Sequence, residues 1–126
     1  MTFEDLIDLQ KYIQNKVGYQ VTLGAEDVPG NSYPIIQINL DGDFNIVAMN
    51  ERSDTVNDEI DIKIIVEKNN DLEAFRIRDK LIEQLGTFKT EKGMNFIPDE
   101  GTREYTEATF QITISFLFKN IIQNIL

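Results

Sequence analysis

The sequence predicts an α+β domain: a mixed, mostly antiparallel sheet with two helices packed on one face, a two-layer sandwich. Three observations carry this. Two segments, about 3–17 and 70–86, repeat apolar residues every three or four positions, the period of a helix with one buried stripe. Six others alternate apolar and polar residues, the period of a half-buried strand. Finally, 126 residues with 41% hydrophobic content supply one core, so the whole chain, 1–126, reads as a single domain. Helices that cannot bury their stripes alone must lie on the sheet, which gives the order α-β-β-β-β-α-β-β.

The first helix opens at Thr2, an N-cap followed by Glu4 and Asp5, whose charge suits the helix dipole. Met1 and Leu6 stand at the positions of a hydrophobic staple. Leu6, Leu9, Ile13 and Val17 form its stripe, and Gly18 stops it. Tyr19, Val21 and Leu23 alternate in a short strand. After a loop carrying Pro29-Gly30, Tyr33-Pro34 opens a strand with Ile36, Ile38 and Leu40 on one face. Asp41-Gly42 is a tight-turn signal, leading to a hairpin partner with Phe44, Ile46 and Ala48.

Residues 50–59 are polar apart from Val56 and read as a long exposed loop. Ile60, Ile62, Ile64 and Val66 then mark a strand with one buried face. Asn70 and Glu73 form a capping box for the second helix, whose apolar face is Ala74, Phe75, Ile77, Leu81, Ile82 and Leu85, with Gly86 as its end. Met94, Phe96 and Ile97 make a short strand stopped by Pro98, and Asp99-Glu100-Gly101 turns the chain. The last strand places Ala108, Phe110, Ile112, Ile114, Phe116 and Phe118 on one face and Glu107, Thr109, Gln111, Thr113 and Ser115 on the other. An apolar tail, 120–126, closes the sequence.

The chemistry of the side chains argues against catalysis. There are no Cys and no His, which removes thiolate nucleophiles, Cys-based zinc sites, imidazole bases and Ser-His triads. No phosphate loop, dinucleotide fingerprint or nucleophile elbow is present. Asp41-Gly42-Asp43-Phe44-Asn45 resembles the start of a calcium loop. The sixth position, which must be Gly, is Ile46, and the twelfth, which should be a bidentate Glu, is Arg52. Twelve Lys and Arg against 22 Asp and Glu give a net charge of −10, which the nucleic-acid backbone and anionic membranes repel. Arg76, Arg78 and Lys80 do not share one helix face, and an ion pair of Arg76 with Glu73 is expected. The expectation is a non-enzymatic protein without cofactor or metal. With neither an apolar span nor a secretory leader at Met1-Thr2-Phe3-Glu4-Asp5, it is expected to be made in the cytoplasm.

Two features point to a partner. Thr109, Gln111, Thr113 and Ser115 make a polar but uncharged strand face, which either packs on a neighbouring subunit, flanks a pore or is simply wet. Ile121, Ile122, Ile125 and Leu126 make the tail apolar enough to cover the domain's own core or to dock on another chain.

The run Tyr33-Pro34-Ile35-Ile36 resembles the tail terminator (tail completion) proteins of long-tailed bacteriophages. So do the polar loop 50–59, the strand Ile60 to Val66, the helix Asp71 to Leu85 and the closing strand Glu107 to Phe118. The match is one of element order, spacing and size over nearly the whole chain. The resemblance implies a structural virion protein at the neck end of the tail. Six copies form a ring that caps the tail tube, stops its polymerisation and provides the head–tail joining surface. Its partners would be itself, the tail tube protein and the head–tail connector or stopper protein, with genomic DNA passing through without specific binding and no membrane involved. The tube- or neighbour-contacting element is expected at Asn50, Glu51, Arg52, Ser53, Asp54, Thr55, Val56, Asn57, Asp58 and Glu59, a loop that reorders on binding. Subunit contacts are expected at the Thr109–Ser115 face and the tail. Two alternatives remain open: a head–tail connector or minor capsid protein of the neck, and a small acidic inhibitor or DNA-mimic module.

Overall fold

A computed structural model of the chain describes residues 3–24, 33–41, 55–87 and 95–121, with the side chains of 40, 41, 55–59, 87, 95–97, 99, 100 and 118–121 left out of the description. Helix α1 (Phe3–Val17) leads into strand β1 (Gln20–Leu23) and then β2 (Ile35–Asp41). Strand β3 (Thr55–Glu67) is followed by helix α2 (Asp71–Thr87), β4 (Asn95–Tyr105) and β5 (Thr109–Ile121). The five strands lie in the order β1-β2-β3-β5-β4. Only the β1–β2 pair is parallel, so the sheet is mixed and mostly antiparallel, as its sequence predicts.

The alternation in β3 and β5 explains where the core sits. Ile60, Ile62, Ile64 and Val66 stand opposite Phe116, Ile114, Ile112 and Phe110, so one face of the central pair is apolar along its length. All eight side chains are buried, in one cluster with Leu9, Ile13 and Val17 of α1 and Ala74, Ile77, Leu81 and Leu85 of α2. Burying a side chain of this kind contributes about 1.5–3 kcal/mol, so this face fixes the register: a slip of one residue would turn it to solvent. Polar groups then tie the helices down. The Gln10 and Gln14 side-chain amides both donate to the Val21 carbonyl, at 2.7 and 3.3 Å. Tyr12 reaches from α1 to the Gln84 carbonyl at the end of α2.

Gly18 ends α1 as expected: its φ is +85° and its amide closes on the Gln14 carbonyl at 3.0 Å. Asn70 opens α2 through its carbonyl, which accepts the amides of Glu73 and Ala74. Ile82, assigned by the sequence to the apolar face, is 36% exposed and lies at the edge of the buried stripe. Gly86 does not end α2. The helix continues to Thr87, because glycine costs a helix about 1 kcal/mol without forbidding it.

Four further expectations need correction. Thr55–Glu59, read as part of the 50–59 loop, is the first third of β3 and pairs with Leu117–Ile121 of β5. Its polar composition hid a strand whose ladder is satisfied by a neighbour rather than by an apolar face. Asn120 and Ile121, read as the start of the tail, are the last residues of β5. Ala108, assigned to the last strand's inner face, is exposed and precedes β5. Pro98 does not stop its strand, nor does Asp99-Glu100-Gly101 turn the chain. β4 runs through all four with a bulge between Pro98 and Glu100. Proline is tolerated there because β4 is the outermost strand and needs hydrogen-bond donors on one side only. Thr2 and Met1, the hairpin partner at 44–48, residues 50–54, Met94 and the tail residues 122–126 lie outside the described residues.

Candidate functional site

The uncharged row on β5 faces away from the core. Thr109 is buried, whereas Gln111, Thr113 and Ser115 are half-buried. Each of three makes a local bond. Thr109 and Thr106 pair their hydroxyls at 2.5 Å, the Gln111 side-chain amide donates to Thr109 Oγ1 at 3.2 Å, and Ser115 donates to Asp61 Oδ1 at 2.6 Å. Charge returns on the neighbouring strands. Thr113 stands beside Lys63, Ser115 beside Asp61 and Gln111 beside Glu104. The row is thus a hydrogen-bonded seam between charged neighbours rather than a wide uncharged surface.

On the same outer face the sheet becomes drier toward β1. Register places Ile35 beside Ile65, and Thr22 beside Gln37. All four are buried, yet Ile35 and Ile65 stand outside the main core cluster. The sequence signal for this second buried area is the unbroken run Ile64-Ile65-Val66, where strict alternation fails. Thr22 Oγ1 is buried there without a hydrogen-bond partner among the described residues.

Part of the 50–59 stretch lies beside the start of the tail: Thr55 and Val56 pair with Ile121 and Asn120. Thr55–Glu59 and Leu117–Ile121 form one antiparallel ribbon, Thr55 opposite Ile121 and Glu59 opposite Leu117. Among the described residues, β2 lies alongside β3 as far as Asp41 opposite Glu59, and β4 adds Asn95–Ile97 alongside Leu117–Lys119. Of the expected contact residues, Asn50 to Asp54, Ile122, Ile125 and Leu126 lie outside the described residues.

Sequence reasoning missed the arrangement around the start of α2. Its first-turn carboxylates are each bonded by a tyrosine from a different element. Tyr19, between α1 and β1, donates to Glu73, and Tyr105, at the end of β4, donates to Asp71 at 2.8 Å. The hydrogen bond to Glu73 is the main cause that raises the Tyr19 pKa above 10.0, aided by desolvation and by the Glu73 charge and opposed by Arg76. The bond to Asp71 raises Tyr105 in the same way. Both hydroxyls are therefore held as neutral donors, the wrong state for a base or a nucleophile. Tyr105 also stacks on Phe110 with centroids 4.6 Å apart, and Arg78 lies 4.9 Å above the Phe75 ring.

The expected Glu73–Arg76 pair is present at 4.0 Å, with the Arg76 side chain 81% exposed. It borders a cleft of about 220 Å³ between the end of α1 and α2, floored by Val17 and Ile77 and rimmed by Tyr19, Glu73, Arg76 and Lys80. A shallower cleft of about 400 Å³ lies among Tyr33, Glu67, Lys68, Asn69, Glu107 and Ala108. Among the described residues no three or more carboxylates gather as a metal site, and no helix is long and apolar enough to cross a membrane. The arrangement is one of surfaces and clefts suited to contact. No protein-family model matches this chain, and no curated protein matches it either.

Proposed function

We propose that the protein is a structural component of a long-tailed bacteriophage, a tail terminator that assembles as a ring on the end of the tail tube. The ring stops tube growth, presents the surface that joins tail to head, and carries out no chemical step. The observation that carries this reading is the ribbon in which Thr55 and Val56, from the stretch expected to touch the tube, pair with Ile121 and Asn120, the start of the tail expected at the subunit contact. Contact through free strand edges is disfavoured. β1 has only four residues, and β4, the outer strand on the other side, carries Pro98 and a bulge in its pairing with β5. The ribbon and the outer face of the sheet remain available for assembly. A net charge of −10 fits a conduit that repels passing DNA, so the duplex slides without sticking.

The test is charge reversal of Asp54, Asp58 and Glu59 together. On this reading the triple variant keeps the wild-type circular dichroism spectrum but no longer limits tail-tube length in an assembly reaction. Tails of normal length assembled with the variant would defeat the proposal.

A further inference from the structure

The cleft between α1 and α2 has an unusual lining for so acidic a chain. Its floor is apolar, Val17 and Ile77, and its rim carries two cations one helical turn apart, Arg76 and Lys80, against one carboxylate, Glu73, which Tyr19 already bonds. Arg76 is 81% exposed with only a 4.0 Å contact to Glu73. Lys80 is exposed and has no ion pair among the described residues. At about 220 Å³ the cleft has room for one aromatic ring. A ring entering it would lie against the apolar floor and beside the guanidinium, a favourable cation–π position. A carboxylate next to that ring would meet the ammonium.

The same chain displays that combination elsewhere. Phe3 is 71% exposed at the start of α1 and is followed by the exposed Glu4. A single exposed apolar side chain is ordinary by itself; Phe3 is set apart by the carboxylate beside it, which complements the cations of the cleft. Phe3 cannot reach the cleft of its own chain. It lies at one end of α1 and Val17 at the other, about 21 Å apart at the rise of an α-helix. Knob and cleft are therefore two different surfaces on opposite ends of one rigid helix, the geometry of a head-to-tail contact between copies.

We infer that Phe3 and Glu4 of one copy seat in the cleft of Val17, Tyr19, Arg76, Ile77 and Lys80 of the next. The ring fills the apolar floor, and Glu4 pairs with Lys80 or Arg76. A surface ion pair adds little by itself, so the ring supplies most of the affinity and the charges set the orientation. Leu72, 76% exposed between Asp71 and Glu73, is the other apolar knob of similar chemistry. It sits on α2 with both flanking carboxylates already bonded to tyrosines, which leaves it without a free charge to offer. The inference rests on the terminator reading only for the closure of this contact into a ring.

The experiment is a concentration series of the full chain by sedimentation velocity, with three variants. Phe3→Ala should raise the concentration of half-assembly by about tenfold or more, the loss expected for unburying one aromatic ring. Arg76→Glu with Lys80→Glu should weaken assembly, and adding Glu4→Lys to that pair should restore it. These side chains are exposed, so circular dichroism and thermal midpoints should stay near wild type. The contact is overturned if the wild type stays monomeric, if Phe3→Ala assembles as well as wild type, or if the charge swap fails to rescue. Loss on Leu72→Ala with none on Phe3→Ala would also overturn it, in favour of the other knob. Assemblies of the wrong number that still respond to these variants would keep the contact and sink the ring. A six-membered ring indifferent to them would do the reverse.

Discussion

Replacing Thr22 by valine is expected to make the protein more stable. Thr22 is 8% exposed on β1, and its hydroxyl oxygen is buried with no hydrogen-bond partner among the described residues. A hydroxyl desolvated without compensation costs about 1–3 kcal/mol, and that cost exists only in the folded state. Valine has the same branched shape, keeps the strand preference and replaces the orphaned oxygen with a methyl group. The neighbours across the ladder stay as they are, because Gln37 opposite Thr22 is not bonded to that hydroxyl. Taking the lower part of the range, Thr22→Val should gain about 1 kcal/mol. For a chain of this size that corresponds to roughly 4 °C in thermal midpoint. Urea unfolding of wild type, Thr22→Val and Thr22→Ser separates the contributions. Serine keeps the orphaned hydroxyl and loses a methyl, so it should fall below wild type while valine rises above it. A valine variant equal to or weaker than wild type would refute the reasoning, since it would mean that the hydroxyl is satisfied in solution.

Three further outcomes follow from the same geometry. Phe110→Ala removes a ring that is 1% exposed and packed against Phe75 and Tyr105, and should cost about 3–5 kcal/mol in a urea titration. Gly18→Ala should cost about 1 kcal/mol by thermal unfolding: a Cβ there meets nothing within 4 Å, so the penalty is that of holding alanine at φ +85°. Tyr19 and Tyr105, which bond the first-turn carboxylates of α2, should make stability fall at alkaline pH. Their pKa values are raised in the fold, so the stabilisation is fully present below the unfolded value of 10.0 and is lost as pH rises through the higher folded values. Phenolate absorbance should show two late-titrating tyrosines in wild type and one in Tyr19→Phe, with a correspondingly weaker alkaline loss of urea resistance.

Periodicity made most of the fold legible. α1 could be read to its last residue because Leu9, Ile13 and Val17 keep the helical spacing and Gly18 breaks it. The central pair could be read because Ile60, Ile62, Ile64 and Val66, and Phe110, Ile112, Ile114 and Phe116, keep every second position apolar on the buried face. What failed has a common physical origin: structure held by a neighbour instead of by its own apolar pattern. Thr55–Glu59 is a strand because β5 supplies its ladder, and no hydrophobic face announces it. Pro98 reads as a stop, yet an outer strand with a bulge accommodates it. The bonds of Tyr19 to Glu73 and Tyr105 to Asp71 join residues 54 and 34 positions apart, and neither pairing leaves a local trace. The uncharged row on β5 was visible, but its hydrogen bonds to Thr106 and Asp61 depend on which strands and turns lie beside it. The cleft at Arg76 and Lys80 was hidden for the same reason, since its floor comes partly from α1.

The central claim is that copies of this chain close into a ring, and native mass spectrometry of the purified protein tests it most directly. A ring of six gives a species of six times the 14.5 kDa chain mass, seen as rings by negative-stain electron microscopy of the same sample. A single species at the mass of one chain, with no rings in the micrographs, would contradict it.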